Sequence, residues 1–323
     1  MRRYVAGRLL QATIVVLLVT TVTFVLVHLA PGDPIALLLD RPGVTEEVRQ
    51  QWRESLGLDR PLGEQYVRWL ANTLRGDLGY SIYFRRPVAD VIADALPRTL
   101  LLVGLALTLS FALGIVVAVL QSERPGGARD RWLGRVLLVL YSVPDFWFAL
   151  VVLILFANWL PILPAGGIVE PVLHDYMTPG ERALDRLRHL VLPVGTLTLL
   201  ATAAISRHQR SALLEVMPSD WMRTAIAKGL SRRRAVRRHA LRNALLPSIT
   251  LAGLYLPALV SGTLLIEKVF SWNGMGLLAV EAITYRDYPV IIAVVFVTSV
   301  VVAIGALLAD LATALADPRI RVA

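Results

Sequence analysis

The sequence predicts an all-α, polytopic membrane protein, and three observations lead to that fold class. Of the 323 residues, 56% are hydrophobic and only 18% are charged, whereas an ordinary soluble domain is about 45–50% apolar and about 25% charged. Apolar runs of about 20 residues, the length that crosses a bilayer, recur along the chain. Basic residues collect in alternate connections between these runs, which is typical of membrane topology.

Six stretches qualify, or nearly qualify, as membrane-spanning helices. They are 9–29, 100–120, 136–160, 190–205, 245–266 and 290–309. The fourth is short and rich in Ala, Thr and Gly, so we expect it to extend to Ser206 and to pack among the other helices. A signal peptide is the alternative for the first stretch, but the apolar part of such a peptide has only about 7–15 residues. We therefore predict a retained span.

The distribution of Lys and Arg predicts the orientation of these spans. One side is strongly basic and the other is slightly acidic, because connections that share the N-terminal side hold most of the Lys and Arg. The basic side consists of the N-terminus, 122–135, 206–244 and the C-terminus. By the positive-inside rule both termini are expected in the cytoplasm. The net charge of +9 then reflects topology, and the expected contact is the lipid bilayer, with no nucleic-acid partner.

The predicted organisation has three parts. Residues 1–30 carry the first span, 31–99 form an external helical segment, and 100–323 form the core with spans two to six. In the external segment we expect one helix capped by Thr45, a second from about Pro61 to Gly76 and a third after Pro87. The apolar face of these helices either packs on the span ends or serves as a docking surface.

The loop 206–244 contains the strongest functional signal. Ser219 or Asp220 can cap a short helix that Gly229 ends, and Ser231 can cap a basic helix that leads into span five. An exposed apolar edge rimmed by charge is typical of a protein-binding surface; here it is formed by Trp221, Met222, Ala225 and Ile226. The arginines at 232–234, 237 and 238 can also bind anionic lipid headgroups, at about 1 kcal/mol per charge.

Several kinds of chemistry are absent from the sequence. It contains no G-x-x-x-x-G-K-[ST] phosphate loop and no H-E-x-x-H metal motif. The five histidines are scattered, and the lack of cysteine excludes disulfides, thiolate zinc sites and a cysteine nucleophile. We therefore expect neither an enzyme nor a cofactor site in this chain.

Asp145 is the one acidic residue placed well inside a predicted span. It follows Pro144 in the part of span three nearest the basic side. Ionisable residues inside membranes are costly and are often functional. Asp145 either faces the loop region or caps a kink at Pro144, or it lines a solute path and favours cationic or zwitterionic solutes.

The run from Arg223 to Gly229, followed by Leu245-Leu246-Pro247, resembles the EAA loop of ABC importer permeases. The longer run from Arg223 through Leu230-Ser231 to Pro247 is similar to the dipeptide/oligopeptide/nickel subfamily. Further similar segments cover most of the chain, and they are 56–62, 76–81, 141–147, 267–276, 286–289 and 317–321.

This resemblance implies the first of two permease subunits of a type I ABC importer in the bacterial cytoplasmic membrane. Such a subunit pairs with a second permease, two cytoplasmic ATPase subunits that hold ATP and Mg²⁺, and an external solute-binding protein. The solute would be a dipeptide, an oligopeptide or a similar small molecule. The ATPase-coupling residues carried over are Trp221, Met222, Arg223, Thr224, Ala225, Ile226, Ala227, Lys228, Gly229 and Leu230.

The sequence departs from the family pattern at three places. Arg223 occupies the acidic position of the motif, the interval from Gly229 to Pro247 is longer than in the general pattern, and Asn273 replaces a common proline. An ion-gradient-driven secondary transporter is the alternative function. It predicts paired charges and broken half-helices within the membrane, and neither is evident. A membrane-embedded protease would need a catalytic set that the chain does not supply.

Overall fold

The computed structural model of this chain describes residues 2–30, 59–245 and 263–316, together with Glu47, Gln50, Ser248, Ala252 and Tyr255. Three predictions lie outside these residues, wholly or for the most part. They are the helix between Thr45 and Gly57, span five and the segment 317–321.

The described residues form α-helices joined by irregular connections, with a single isolated bridge between Tyr80 and Pro87. The predicted all-α class is confirmed. In chain order the helices are α1 Arg2–Leu29, α2 Leu62–Leu74, α3 Val88–Ser122, α4 Ala128–Ser142, α5 Asp145–Leu153, α6 Pro179–Val216, α7 Asp220–Ala227, α8 Arg232–Ala235, α9 Leu241–Ala244, α10 Met275–Thr284 and α11 Tyr288–Ala316. A π-helical turn, Ile154–Trp159, extends α5, and another, Val236–Ala240, joins α8 to α9. We call residues 232–244 the basic segment.

Four helices of the described part are long and apolar enough to cross a membrane, and a bent helix pair makes a fifth crossing if it counts as one. The four are Val5–Leu29, Val88–Ser122, Pro179–Val216 and Tyr288–Thr313. The chain is therefore a multi-pass membrane protein.

The third predicted span, 136–160, is not a single straight helix. It consists of α4 and the extended α5, which meet at an angle of 104°. Pro144 lies at the break; it has no N–H to continue the first helix, and it holds Val143 in an extended conformation. The second half begins at Asp145.

The fourth predicted span, 190–205, is much too short. The structure has one helix of 38 residues, α6, and the charged stretches that indicated loops belong to it. A capping box at its start explains the boundary: Thr178 and Glu181 bind each other's backbone N–H, and Pro179 occupies the first helical position. Of the most apolar part of α6, 67% is buried, against 17–33% in the other three long helices, so α6 is the central helix.

Helices α3 and α6 pack side by side and run in the same direction. Ser110 contacts Thr198, and Gln121 contacts Ser206 further along both helices. The two helices approach closely at Gly114, where a Cβ atom would lie 2.7 Å from Cγ2 of Ile205. This contact requires glycine.

The helix ends define two ends of the bundle. The arginine-rich end contains Ser122, the C-terminal end of α6, α7 and the basic segment. The opposite end contains the beginnings of α3 and α11, which share an apolar cluster with α10. Helix α1 runs antiparallel to α11, because Arg8 binds Asp310 at 3.2 Å and His28 lies against Tyr288. The chain therefore begins at the arginine-rich end, where α11 also ends.

The second helix predicted in the segment 31–99, between Pro61 and Gly76, is α2. Its apolar face packs on α1, where Phe24 contacts the rings of Tyr66 and Trp69. The Tyr66 hydroxyl also lies 2.7 Å from Oγ1 of Thr21. For α2, packing on the first span is therefore confirmed. The helix predicted after Pro87 is the first part of α3.

Candidate functional site

Helix α7 is the short helix predicted between the two arms of the loop 206–244. Its end has the geometry of a Schellman motif: Gly229 N–H donates to Ile226 O at 2.9 Å, and Leu230 N–H donates to Ala225 O at 3.3 Å. Gly229 has φ +89°, a left-handed conformation that glycine adopts without steric cost. The predicted turn at Gly229 is confirmed.

One face of α7 packs on the protein itself. Met222 is fully buried and Ala225 is 8% exposed, which corrects the prediction that both belong to an exposed edge. Met222 belongs to an apolar cluster of α3, α6 and the basic segment, whose buried members include Ala118, Val119, Leu213 and Val236. The position of α7 is thus fixed by contacts within this chain.

The other face of α7 projects away from the bundle. Trp221 and Ile226 are 41% and 44% exposed. Arg223 lies 3.7 Å from Asp220, and both side chains are mostly exposed, so this pair contributes little stability. The remaining exposed positions of the predicted coupling residues are Thr224, Ala227, Lys228 and Gly229. This face is available to a partner.

Two of the arginines that were predicted to be able to bind lipid headgroups bind a carboxylate of the chain itself. Arg237 donates to Oε1 of Glu123 from Nε at 2.9 Å and from Nη2 at 2.8 Å, and Nε of Arg233 lies 3.3 Å from the same oxygen. Arg129 binds Oε2 at 2.8 Å. Arg233 and Arg237 therefore belong to an internal charge cluster, and lipid binding by the arginines stays a prediction.

The Glu123 carboxylate is strongly stabilised in its charged form. Burial raises its pKa, but the hydrogen bonds and charges of Arg129 and Arg237 outweigh burial, and the pKa lies below its ordinary value. A second nearly buried carboxylate, Asp130, accepts Nε and Nη2 of Arg210 at 3.1 and 2.9 Å. This is the bidentate geometry in which arginine binds carboxylates well.

At the opposite end a fully buried carboxyl group, Glu267, caps α10. It accepts Leu277 N–H at 2.9 Å and the Thr99 hydroxyl at 2.7 Å, and Thr99 Oγ1 in turn accepts Met275 N–H. Burial is the main influence on the Glu267 carboxyl and raises its pKa. The segment 267–276, one of those that resemble the permease family, thus has a structural role at this end. The segment 76–81 has a structural role at the same end.

The segment 76–81 meets the segment 286–289 through a second buried carboxyl group. Asp287 accepts the Ser81 hydroxyl at 2.5 Å and the Tyr83 N–H at 3.0 Å. These bonds hold the short connection between α2 and α3 on the first turn of α11.

Three ionisable side chains cluster at the start of α6. Nδ1 of His174 lies 2.6 Å from Asp185, which also lies 3.2 Å from Nδ1 of His189. The Asp185 carboxylate accepts Glu170 N–H as well. This cluster fixes the irregular segment before α6, and no group of three metal-ligating side chains is arranged to hold a metal ion within the described residues.

Asp145 is exposed in the first turn of α5, directly after Pro144. A carboxylate in this position is favoured by the positive end of the helix dipole. The structure therefore agrees with a residue at the kink, and the solute-path role stays a prediction.

Sequence reasoning missed Glu123 and Asp130. The sequence pattern singles out neither residue, because each binds an arginine that lies far away along the chain. The available signal was the presence of two acids, Glu123 and Asp130, in a connection otherwise rich in arginine.

Comparison with known proteins supports the family that the loop suggested. Residues 110–322 match the family model for the binding-protein-dependent transport system inner membrane component. Residues 1–103 match the model for the N-terminal part of such membrane components. The chain is 36% identical to the oligopeptide transport system permease protein AppB of Bacillus subtilis (strain 168) over 99% of both chains. It is 35% identical to the dipeptide transport system permease protein DppB of Escherichia coli (strain K12) over 94% of both.

The fold also resembles a solved structure. A chain from the inward-facing conformations of the MetNI methionine ABC transporter superposes with a TM-score of 0.57 at 20% identity, covering 70% of this chain and 96% of that one. This similarity concerns the fold alone. Together with the family models and the full-length relatives, it leads to one conclusion: the chain belongs to the family of binding-protein-dependent transport system inner membrane components.

Proposed function

We propose that this chain is one of two homologous permease subunits of an ATP-driven importer, and that it passes dipeptides or oligopeptides into the bacterial cytoplasm. Two ATPase subunits bind ATP and Mg²⁺ and engage α7, and an external solute-binding protein delivers the solute. The observation that carries this proposal is the shape of α7, one face of which is fixed on the bundle while the other projects outward.

The topology of the proposed subunit has six spans with both termini in the cytoplasm. The start of α1 and the C-terminal part of α11 meet at the arginine-rich end, which is the arrangement that this topology needs. The concentration of arginine at that end supports its placement on the cytoplasmic side. The external segment 31–99 then faces the solute-binding protein.

The peptide solute is supported by the relatives, which are named as oligopeptide and dipeptide permeases and match over nearly the whole chain. Asp145 is the candidate residue in the solute path. Its negative charge would favour the amino terminus of a peptide in the path over an anionic solute.

Alternating access is the proposed mechanism. Closure of the ATPase subunits on ATP displaces α7, and the contacts of α7 with α3, α6 and the basic segment pass this displacement to the spans. The chain itself performs no chemistry, in keeping with relatives that are permease subunits. Ion-gradient-driven secondary transport is not favoured, because a relative 37% identical over 98% of this chain is named a probable peptide ABC transporter permease protein.

The test is to purify the tagged chain with its associated subunits from native membranes and to reconstitute the complex in proteoliposomes. We expect the added binding protein and MgATP to drive uptake of a labelled dipeptide, and ionophores that remove ion gradients to leave uptake unchanged. Uptake that needs an ion gradient and not ATP would contradict the proposal. The chain freed of the other subunits should hydrolyse no ATP.

A further inference from the structure

Two carboxylates lie where α3 passes into α4: Glu123 directly after α3 and Asp130 in the first turn of α4. We call residues 123–130 the carboxylate turn. Glu123 and Asp130 are each only 7% exposed. Burying a charged group is expensive unless it is paired. Both carboxylates accept hydrogen bonds from arginine side chains, and these arginines come from separate parts of the chain.

Glu123 binds the arm of the loop that follows α7. Both arginines on its Oε1 atom, Arg233 and Arg237, belong to the basic segment, 110 or more positions away along the chain. Arg129, on its Oε2 atom, comes from the carboxylate turn itself.

Asp130 binds the arm of the loop that precedes α7. Its partner Arg210 lies near the C-terminal end of α6, 80 positions away along the chain. Gly126 N–H donates to Asp130 at 2.8 Å, and Gln121 of α3 donates at 3.2 Å. The turn therefore has hydrogen bonds of its own, from Gly126 to Asp130 and from Arg129 to Glu123.

Helix α7 is thus connected to the same turn through both of its flanks. Its own buried residue, Met222, adds a third contact through the apolar cluster that includes Val119 of α3. Any displacement of α7 that carries its flanks along must move the carboxylate turn or break its ion pairs.

The arginines on Glu123 are arranged to tolerate movement. Arg233 and Arg237 are four positions apart, so they project from the same face of the basic segment, about one helical turn of 5.4 Å from each other. Because both contact Oε1, the carboxylate keeps a cation when the segment shifts along its axis.

We propose that the carboxylate turn links α7 to the membrane-spanning helices α3 and α4, and that Glu123 is the positioning residue of this link. The inference rests on the proposed function, because an ATPase subunit must displace α7. It goes beyond it by naming the residues through which the displacement reaches the solute path.

The experiment compares peptide uptake with ATP hydrolysis in the reconstituted complex. Glu123→Gln removes the charge that attracts the arginines, and Glu215→Gln is the matched control, because Glu215 is an exposed acid at the end of α6. We expect Glu123→Gln to keep ATP hydrolysis while the peptide imported per ATP falls at least about fivefold, the lower end of typical coupling between sites. Glu215→Gln should retain the ratio of the unaltered complex.

A double-mutant cycle separates coupling from a general structural effect. The paired change Arg233→Gln with Arg237→Gln should lower the ratio of uptake to hydrolysis, and adding Glu123→Gln should lower it little further, because both changes remove the contact between the basic segment and Glu123. Glu123→Asp, which keeps the charge, should retain most of the ratio. If Glu123→Gln fails to assemble, the paired arginine change still provides the test.

The outcomes distinguish this inference from the proposed function. If the unaltered complex shows no MgATP-dependent uptake, the proposed function is wrong and the inference with it. If the unaltered complex imports peptide and Glu123→Gln, or the paired change of Arg233 and Arg237 to Gln, retains the ratio, only the link through the carboxylate turn is wrong. Fully additive effects of Glu123→Gln and the paired arginine change would also overturn it.

Discussion

Both ends of the bundle bury carboxyl groups, but the groups that bind these carboxyls differ between the ends. At the arginine-rich end, Glu123 and Asp130 bind long arginine side chains whose own charged groups are partly exposed. At the opposite end, Glu267 and Asp287 accept hydroxyl groups and backbone N–H groups. The pKa of Glu123 is lowered by its arginines, whereas that of Glu267 is raised by burial.

This difference indicates which end can move. An arginine can follow a shifting carboxylate by changing rotamer, so an arginine pair survives small displacements. A carboxyl group bonded to backbone N–H groups fixes one arrangement of the main chain, since those donors cannot move separately from the helix. The arginine-rich end is thus suited to transmit motion, and the opposite end is suited to hold the helices in place.

The largest expected effect is on peptide uptake and ATPase binding, and it comes from replacing a glycine by valine at one end of the bundle but not at the other. Gly229 and Gly76 have nearly the same backbone conformation, φ +89° and +86°, and no atom within 4 Å of an added Cβ. Valine at either position costs about 1–2 kcal/mol for the left-handed conformation. We expect Gly229→Val to lose most peptide uptake and to co-purify with less ATPase, at near-normal abundance in membranes.

Gly76→Val is the control for that substitution, because it carries the same backbone cost at the opposite end. It should keep its ATPase subunits and most of its uptake. Equal loss of ATPase binding in both variants, measured by pull-down and membrane fractionation, would show that strain alone explains the result.

The next effect concerns the stability of the opposite end. Glu267→Gln keeps the shape of the side chain but turns one of its two acceptor oxygens into a donor, so a buried N–H or hydroxyl loses its partner. We expect a loss of roughly 1–3 kcal/mol in the free energy of unfolding, with an unchanged ratio of uptake to ATP hydrolysis. Thermal unfolding of the purified complex measures the first quantity, and Glu64→Gln, on the exposed face of α2, is the control. A changed ratio with unchanged stability would reverse the roles assigned to the two ends.

A smaller effect is expected at Asp145. If it lines the path, Asp145→Asn removes an attraction of about 1 kcal/mol for a cationic group at contact distance in water. Uptake of a dipeptide with a basic side chain should then fall a few-fold more than uptake of a neutral one, at equal abundance. An equal effect on both peptides would place Asp145 at the kink with no role in selectivity.

Sequence reasoning was most successful where the structure depends on local residues. Gly229 predicted where α7 ends, and Pro61, with the aromatic residues that follow it in the sequence, predicted α2. It was less successful where distant residues decide the outcome. Arg237 was assigned to lipid because its partner Glu123 lies 114 positions away, and Met222 was assigned to a partner because its burial depends on three other segments.

Two helix boundaries were missed for a different reason. The charged residues at both ends of α6 suggested loops, although Thr178 and Glu181 already formed a capping box in the sequence. Pro144 was recognised as a kink, but a bend of 104° depends on what α4 and α5 pack against. Local sequence signals therefore mark where a helix begins or bends, but they do not give the angle of the bend.

The smallest effect is a difference in pH dependence between the ends. The lowered pKa of Glu123 means that its contribution to stability is present above the ordinary glutamate pKa of about 4.3 and is lost as the pH falls through the lower folded value. The raised pKa of Glu267 gives the opposite pH dependence: its contribution to stability falls as the pH rises from about 4.3 through the pKa of the folded state. Hydrogen exchange, corrected for its intrinsic rate, should show the basic segment losing protection on acidification and α10 gaining it. The same direction at both ends would contradict this assignment.

Site-directed cross-linking tests the central claim, that α7 is the element that engages the ATPase. The chain has no cysteine, so a single cysteine at Thr224, on the exposed face of α7, can carry a short cross-linker to lysines of neighbouring subunits. A cysteine at Tyr80, exposed at the opposite end, is the control. We predict that the Thr224 site cross-links to an ATPase subunit and the Tyr80 site does not. No ATPase product from Thr224, or one from Tyr80, would contradict the account.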